Sequence, residues 1–209
     1  MLYCITEFQN FKCKHKKFFK ETGKKDMRRL DKQIIGSGDW LTLARVYYEG
    51  HDGVTRTWET VNRKNSRGAV GILATMKNTG ELVLIRQYRP PLDRFAIEFP
   101  AGLIDDGEEP GEAALRELRE ETGYKGELKK ISDRAYSSPG LTDEFLIFAR
   151  VEIDPAVQGE IQTDFDEAES IETFLVAPEN LHAFLENARK NGDVVDAKVV
   201  AYAFSTDLL

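Results

Sequence analysis

A chain of 209 residues with 41% apolar composition can bury a sizeable core, as one main domain or as one domain with a smaller module. Its net charge of −7, from 36 acidic against 29 basic residues, excludes nucleic-acid binding through bulk attraction to phosphates; a small anionic substrate would need metal ions and a few placed arginines. Only Cys4 and Cys13 occur, too few for a disulfide framework, and no apolar run has the length of a membrane span or the form of a signal-peptide core, so a cytoplasmic protein with neither nucleic acid nor membrane as partner is expected.

Residues 1–29 carry nine Lys or Arg against three acids and read as a basic, disordered extension. Two other readings stay open. A targeting peptide is disfavoured by the dominance of Lys over Arg, the absence of Ser, and the acids Glu7 and Glu21. An upstream extension ahead of a start at Met27 would be refuted if its deletion abolished folding or activity. Cys13-x-His15 has no second pair at zinc-finger spacing.

Residues 30–66 read as an N-terminal β module. Trp40–Tyr48 and Thr55–Val61 are rich in strand formers and flank a turn at Glu49–Gly53, which predicts a hairpin. A hairpin alone buries too little to be stable, so it must pack on the main domain, on a partner subunit, or on both. Trp40 and Trp58 lie on it, as core residues or as a platform for a flat ligand.

Residues 67–209 read as the main domain. Ala69–Thr75 and Glu81–Tyr88 are strands around the turn Lys77–Gly80, and Arg89-Pro90-Pro91 ends the second, because proline gives a ladder no donor. Phe95–Phe99 is a short strand. Leu128–Tyr136 and Phe145–Ile153 follow, separated by the loop Ser137–Glu144, and Ile171–Val176 follows the acidic loop Asp164–Glu169. Pro178–Lys190 and about 195–208 are helical by periodicity. Alternating strands and helices give an α/β class, a mixed sheet covered on its faces by helices.

Gly102–Tyr124, GLIDDGEEPGEAALRELREETGY, is the stretch with chemistry in it. Pro110 suits the first turn of a helix and Gly123 its end, so a helix is predicted from about Pro110 to Thr122. At roughly 100° per residue, Leu115, Leu118 and Thr122 share one side, while Glu117, Glu120 and Glu121 fall within an arc on the other. That arc is either a solvated polar face or a site for a divalent cation. Like charges at these spacings repel, and hard oxygen ligands around a cation would turn the repulsion into coordination. Arg116 follows Glu112 by four residues and can reach back to Glu108, which would leave the other three glutamates free as ligands.

The spacing Gly102, five residues, Glu108, seven residues, Arg116-Glu117-Leu118-x-Glu120-Glu121-x-Gly123 resembles the Nudix box. Seven fixed residues at background frequencies of roughly one in fifteen each would match by chance on the order of once in 10⁸ start positions. Tyr124 departs from the pattern, standing where an aliphatic residue is usual. Thr57-Trp58-Glu59, Gln87-Tyr-Arg-Pro-Pro91, Ile97-Glu-Phe-Pro-Ala-Gly-Leu103, Pro139-Gly-Leu141 and Val195-Asp-Ala-Lys-Val199 are similar to the ADP-ribose or ADP-sugar pyrophosphatase branch. That resemblance implies a Nudix-type α/β/α sandwich and hydrolysis of a nucleotide sugar to AMP and sugar phosphate.

It also implies roles. Glu117 and Glu121 would be ligands of Mg²⁺ or Mn²⁺, Glu120 would ligate or bridge, and the carbonyl of Ala101 would complete the shell. Arg116 would hold the catalytic helix to its loop. Arg63 and Arg89 would hold phosphate or ribose, unless they make ordinary surface ion pairs. Glu98 would accept a ribose hydrogen bond or be a buried structural acid, and Leu103 and Pro139 would border the substrate. A general base must come from Glu169 or Glu144, of which Glu169 matches the loop glutamate of this branch. The β module would be exchanged between the subunits of a homodimer, setting a tryptophan against adenine. Alternatives are another substrate, such as GDP-mannose, ADP-glucose or an oxidised nucleotide, and a non-catalytic ADP-ribose-binding module, which would be expected to have lost box glutamates.

Overall fold

The computed structural model describes residues 26–159, 161, 163–164 and 170–206. Glu169, Cys4, Cys13 and most of the basic extension lie outside the described residues. Two compact units divide the chain, Met1–Thr60 and Val61–Leu209.

In the first unit, β1 (Arg28–Ser37), β2 (Leu41–Glu49) and β3 (Thr55–Arg63) form a three-stranded sheet in that order. The expected hairpin is thus two strands of three. The added strand β1 begins inside the segment read as a disordered extension and pairs antiparallel with β2 from Arg28↔Glu49 to Ser37↔Thr42. Its charged sequence gives a weak alternation, so cross-strand pairing rather than its own pattern defines it. Ala44 is the one buried apolar side chain among the described residues of this unit, whereas Ile34, Trp40 and Trp58 are 62%, 77% and 54% exposed. Among the described residues this sheet has no core of its own. The last residues of β3, Val61–Arg63, belong to the second unit.

The second unit is built on a mixed sheet. Its strands are β4 (Ala69–Met76), β5 (Leu82–Arg89), β6 (Arg94–Glu98), β7 (Ala101–Leu103), β8 (Glu127–Ala135), β9 (Leu146–Ile153), β10 (Ile171–Val176) and β11 (Val194–Val195). The main path runs β11-β6-β5-β4-β9-β8, with β10 on β5 and β7 on β4. Pairing is parallel for β4 with β9 and for β6 with β11.

Side chains alternate across this sheet, and each face takes its own helices. Val83, with Val70, Ile72 and Ala74 of β4, packs against Ala113, Ala114 and Leu118 of α1 (Pro110–Thr122). Leu82 and Leu84, with Ile97, pack against Leu181 and Leu185 of α2 (Leu181–Lys190) and Val199 and Ala203 of α3 (Ala197–Ser205). The result is an α/β/α arrangement. The helix predicted over Pro110–Thr122 has those bounds, while Pro178–Asn180 is a 3₁₀ turn leading into α2.

Candidate active site

Helix α1 carries the carboxylates and is fixed by its apolar side. Leu118 is fully buried and Thr122 nearly so, with Thr122 Oγ1 donating back to the Leu118 carbonyl at 2.5 Å. At the end of the helix Gly123 takes φ 74°, left-handed backbone that suits glycine, and its N–H closes on the Arg119 carbonyl. Glu121 belongs with the buried side rather than the open arc, at 5% exposure. A buried carboxylate needs a donor, and the Ala101 N–H supplies one at 3.0 Å to Oε2.

That bond exists because β7, absent from the sequence reading, lays Ala101–Leu103 along β4, with Ala101 opposite Gly71. Next to it, Gly102 makes room for Glu117: a Cβ there would lie 1.9 Å from the Glu117 carboxyl carbon. The glycine of the motif is therefore a space requirement for a carboxylate.

Arg116 occupies the middle of the cluster. Nε and Nη2 fork onto Glu108 at 2.9 Å each, and Nη2 also donates to the Leu103 carbonyl at 3.1 Å. Nη1 donates to Glu117 Oε1 at 2.9 Å and to Glu120 Oε2 at 3.0 Å. All five guanidinium N–H groups thereby have an acceptor. Bonding to Glu108 is the main cause that raises the Arg116 pKa further, and the same contact with Arg116 holds the Glu108 carboxyl below its ordinary value. The expectation that Arg116 leaves the three ligand glutamates free is corrected: it joins two of them, and Glu121 is engaged by Ala101.

Two arginines come from other strands. The end of β3 is tied to the loop before β9 by the Val61 N–H to the Leu141 carbonyl at 2.9 Å and by Asn62 Nδ2 to Asp143. This sets Arg63 Nε on Glu144 Oε1 at 2.8 Å. Arg89, where β5 meets the two prolines, forks onto Glu98 of β6 at 2.9 and 2.5 Å. Glu98 is buried, so this pair also answers the desolvation of its charge.

Arg63, Arg89, Ala101, Leu103, Arg116, Glu117, Glu120, Glu121 and Glu144 line one cavity of about 720 Å³. Pro139 is not in its lining; it sits in the turn in which the Leu141 and Thr142 N–H groups bond the Ser138 carbonyl. Trp40 and Trp58 belong to the first unit. Asp105 and Asp164 line the cavity and were given no role by sequence. Asp164 is held by its backbone N–H on the Glu120 carbonyl at 3.0 Å, one of the carbonyls that the last turn of α1 leaves open. The acidic run around it was visible in the sequence; its anchorage on the helix end was not. A second cavity, of about 490 Å³, has Leu73, Phe99, Phe148 and Tyr202 in its walls and, among the described residues, no carboxylate.

The donor set of the larger cavity fits a hard divalent cation, since its helix wall offers only carboxylate oxygens. As the side chains stand, no three His, Cys, Asp or Glu among the described residues converge closely enough to share an ion. Arg116 Nη1 lies between Glu117 and Glu120, and Glu121 is turned to Ala101.

The family model described as the NUDIX domain matches residues 65–201. An ADP-ribose pyrophosphatase of Bacillus subtilis is 40% identical over 178 residues, covering 84% of this chain and 89% of that one. The ADP-ribose pyrophosphatase of Saccharomyces cerevisiae is 37% identical over 174 residues, 77% of this chain and 74% of that one. The crystal structure of an ADP compounds hydrolase shares the fold at TM-score 0.66 and 19% identity, covering 90% of this chain and 100% of that chain.

Proposed function

The chain belongs to the NUDIX domain family, and from that membership we propose that this hydrolase splits the pyrophosphate of ADP-ribose or a related ADP-sugar into AMP and the sugar phosphate. One observation carries the reading: carboxylates of a single helix turn and two arginines from separate strands face one cavity. That pairing suits a polyanion whose charge must be met from both sides.

Glu117, Glu120 and Glu121 would hold Mg²⁺ or Mn²⁺, with the Ala101 carbonyl at the edge of the site. When bound there, the metal supplies charge neutralisation of the pyrophosphate and alignment of water. Arg63 and Arg89 would grip phosphate or the distal ribose. Each is already oriented by a carboxylate, Glu144 and Glu98, so less side-chain freedom is lost on binding. Leu103, which lines the cavity, would border the sugar.

For the proton of the attacking water we retain Glu169 as general base. Glu144 is the weaker candidate because one of its oxygens accepts from Arg63. The first unit suits a homodimer in which a second copy covers its exposed apolar side chains, with Trp40 or Trp58 stacking on adenine. Light scattering is expected to give the mass of two chains, and an active single-chain mass would end that proposal. A cytosolic setting goes with the same reading.

The function itself is tested by incubating the protein and Mg²⁺ with ADP-ribose, ADP-glucose, GDP-mannose and an oxidised nucleotide and following AMP release. ADP-ribose is expected to turn over fastest. A preference for a non-adenine substrate would reassign the substrate, and binding without turnover would make the chain a sensing module. In the same assay Glu169→Gln is expected to lose 10²-fold or more, as a general base should, and Glu144→Gln less than that. The reverse order would exchange their roles.

A further inference from the structure

Arg116 meets its acceptors in two groups that differ in kind. Nε and Nη2 hold Glu108 and the Leu103 carbonyl, both on the segment leading into α1. Nη1 holds Glu117 and Glu120, which project from the helix into the cavity. The first group is a structural clasp: a planar two-bond fork on a carboxylate and one bond to backbone. Across the second, one nitrogen bridges two carboxylates that would otherwise repel each other.

A divalent cation competes with Nη1 and not with the fork. It would draw on the carboxylates of Glu117 and Glu120, one oxygen of each of which Nη1 holds, and it brings two full charges where Nη1 brings part of one. Glu108 contributes nothing to the cavity lining and gains nothing from the exchange. Glu117 has little room to evade the competition. Gly102 stands against its carboxyl on one side, and the side chain is only 15% exposed.

We propose that Arg116 is a two-handed positioning residue, whose Nη1 keeps Glu117 and Glu120 together and yields them to the divalent cation while Nε and Nη2 stay on Glu108 and Leu103. Cation loading is then an exchange at a preassembled pair, and the clasp between loop and helix survives it. The proposal rests on the metal role of Glu117 and Glu120 given above.

The test is nitrogen NMR of arginine side chains in the wild-type protein, with Arg116 assigned by through-bond correlation to its own backbone and checked by signal loss in Arg116→Lys. On titration with Mg²⁺, the Nη1 hydrogens are expected to exchange with water at least tenfold faster, while the Nε hydrogen keeps its position and protection. Unchanged Nη1 exchange at saturation would overturn the proposal, and so would loss of protection at Nε, which would mean that the whole side chain departs. Mn²⁺ binding followed by water-proton relaxation, without substrate, runs alongside. If Mn²⁺ does not bind, the metal reading fails and the exchange fails with it. If Mn²⁺ binds and Nη1 is unmoved, only the exchange is wrong.

Discussion

A methyl group added at position 102 would sit 1.9 Å from the Glu117 carboxyl carbon, closer than any real contact. The atom in the way is the far end of a flexible side chain, so Gly102→Ala is expected to cost under about 1 kcal/mol of stability. Turnover should fall roughly 10²-fold, the usual result of misplacing a catalytic group by about an ångström. Steady-state kinetics beside a urea melt checks both halves, and a fully active variant would show that the position of Glu117 is not critical. Glu108 offers a second test through pH. Its folded-state pKa is lowered, first by bonding to Arg116, so its contribution is complete above its unfolded value and vanishes as pH falls through the folded one. Glu108→Gln should therefore cost roughly 1.5–3 kcal/mol at neutral pH, with the gap to wild type closing as pH falls below the ordinary glutamate value. A gap that widened on acidification would reverse the sign. At this scale the Arg116–Glu108 pair was legible because eight residues separate its members, whereas Arg63 and Glu144 are 81 apart and meet only through the ends of β3 and the loop before β9.

Helix α1 shows which elements announce themselves. Pro110 and Gly123 mark its ends by backbone chemistry that needs no neighbour, so its bounds were readable from the chain. Strand β7 has three residues and β11 two; each is defined by the strand it joins, and nothing local marks it. Strand β1 hides for a different reason, since its exposed faces remove the alternation that reveals a half-buried strand. The burial of α1 is what keeps its carboxylates in place. Leu118→Ala removes a fully buried side chain from between α1 and the sheet and should cost about 2–5 kcal/mol by chemical denaturation. A loss below about 1 kcal/mol would mean that the helix is held mainly by its polar bonds.

Over the whole molecule, the sandwich and the carboxylate helix were both foreseeable from alternation and one motif, while the cavity that joins them was not. Its walls come from β3, β4, β5, β7, α1 and the loops before α1, β9 and β10, and long-range pairing decides their meeting. The register of β4 with β9 has a consequence for how the protein reaches this state. Ala69 pairs with Leu146, 77 residues on, so a large loop must close before the centre of the sheet exists. Helix α1 lies inside that loop and can form early, with its acids on one turn and no opposite wall. Folding speed should then be set by strand closure and not by the carboxylates. Stopped-flow refolding is expected to be insensitive to Mg²⁺, while unfolding slows in its presence, because the cation stabilises contacts made after the rate-limiting step. Faster refolding with Mg²⁺ would place the acidic helix in the folding nucleus instead.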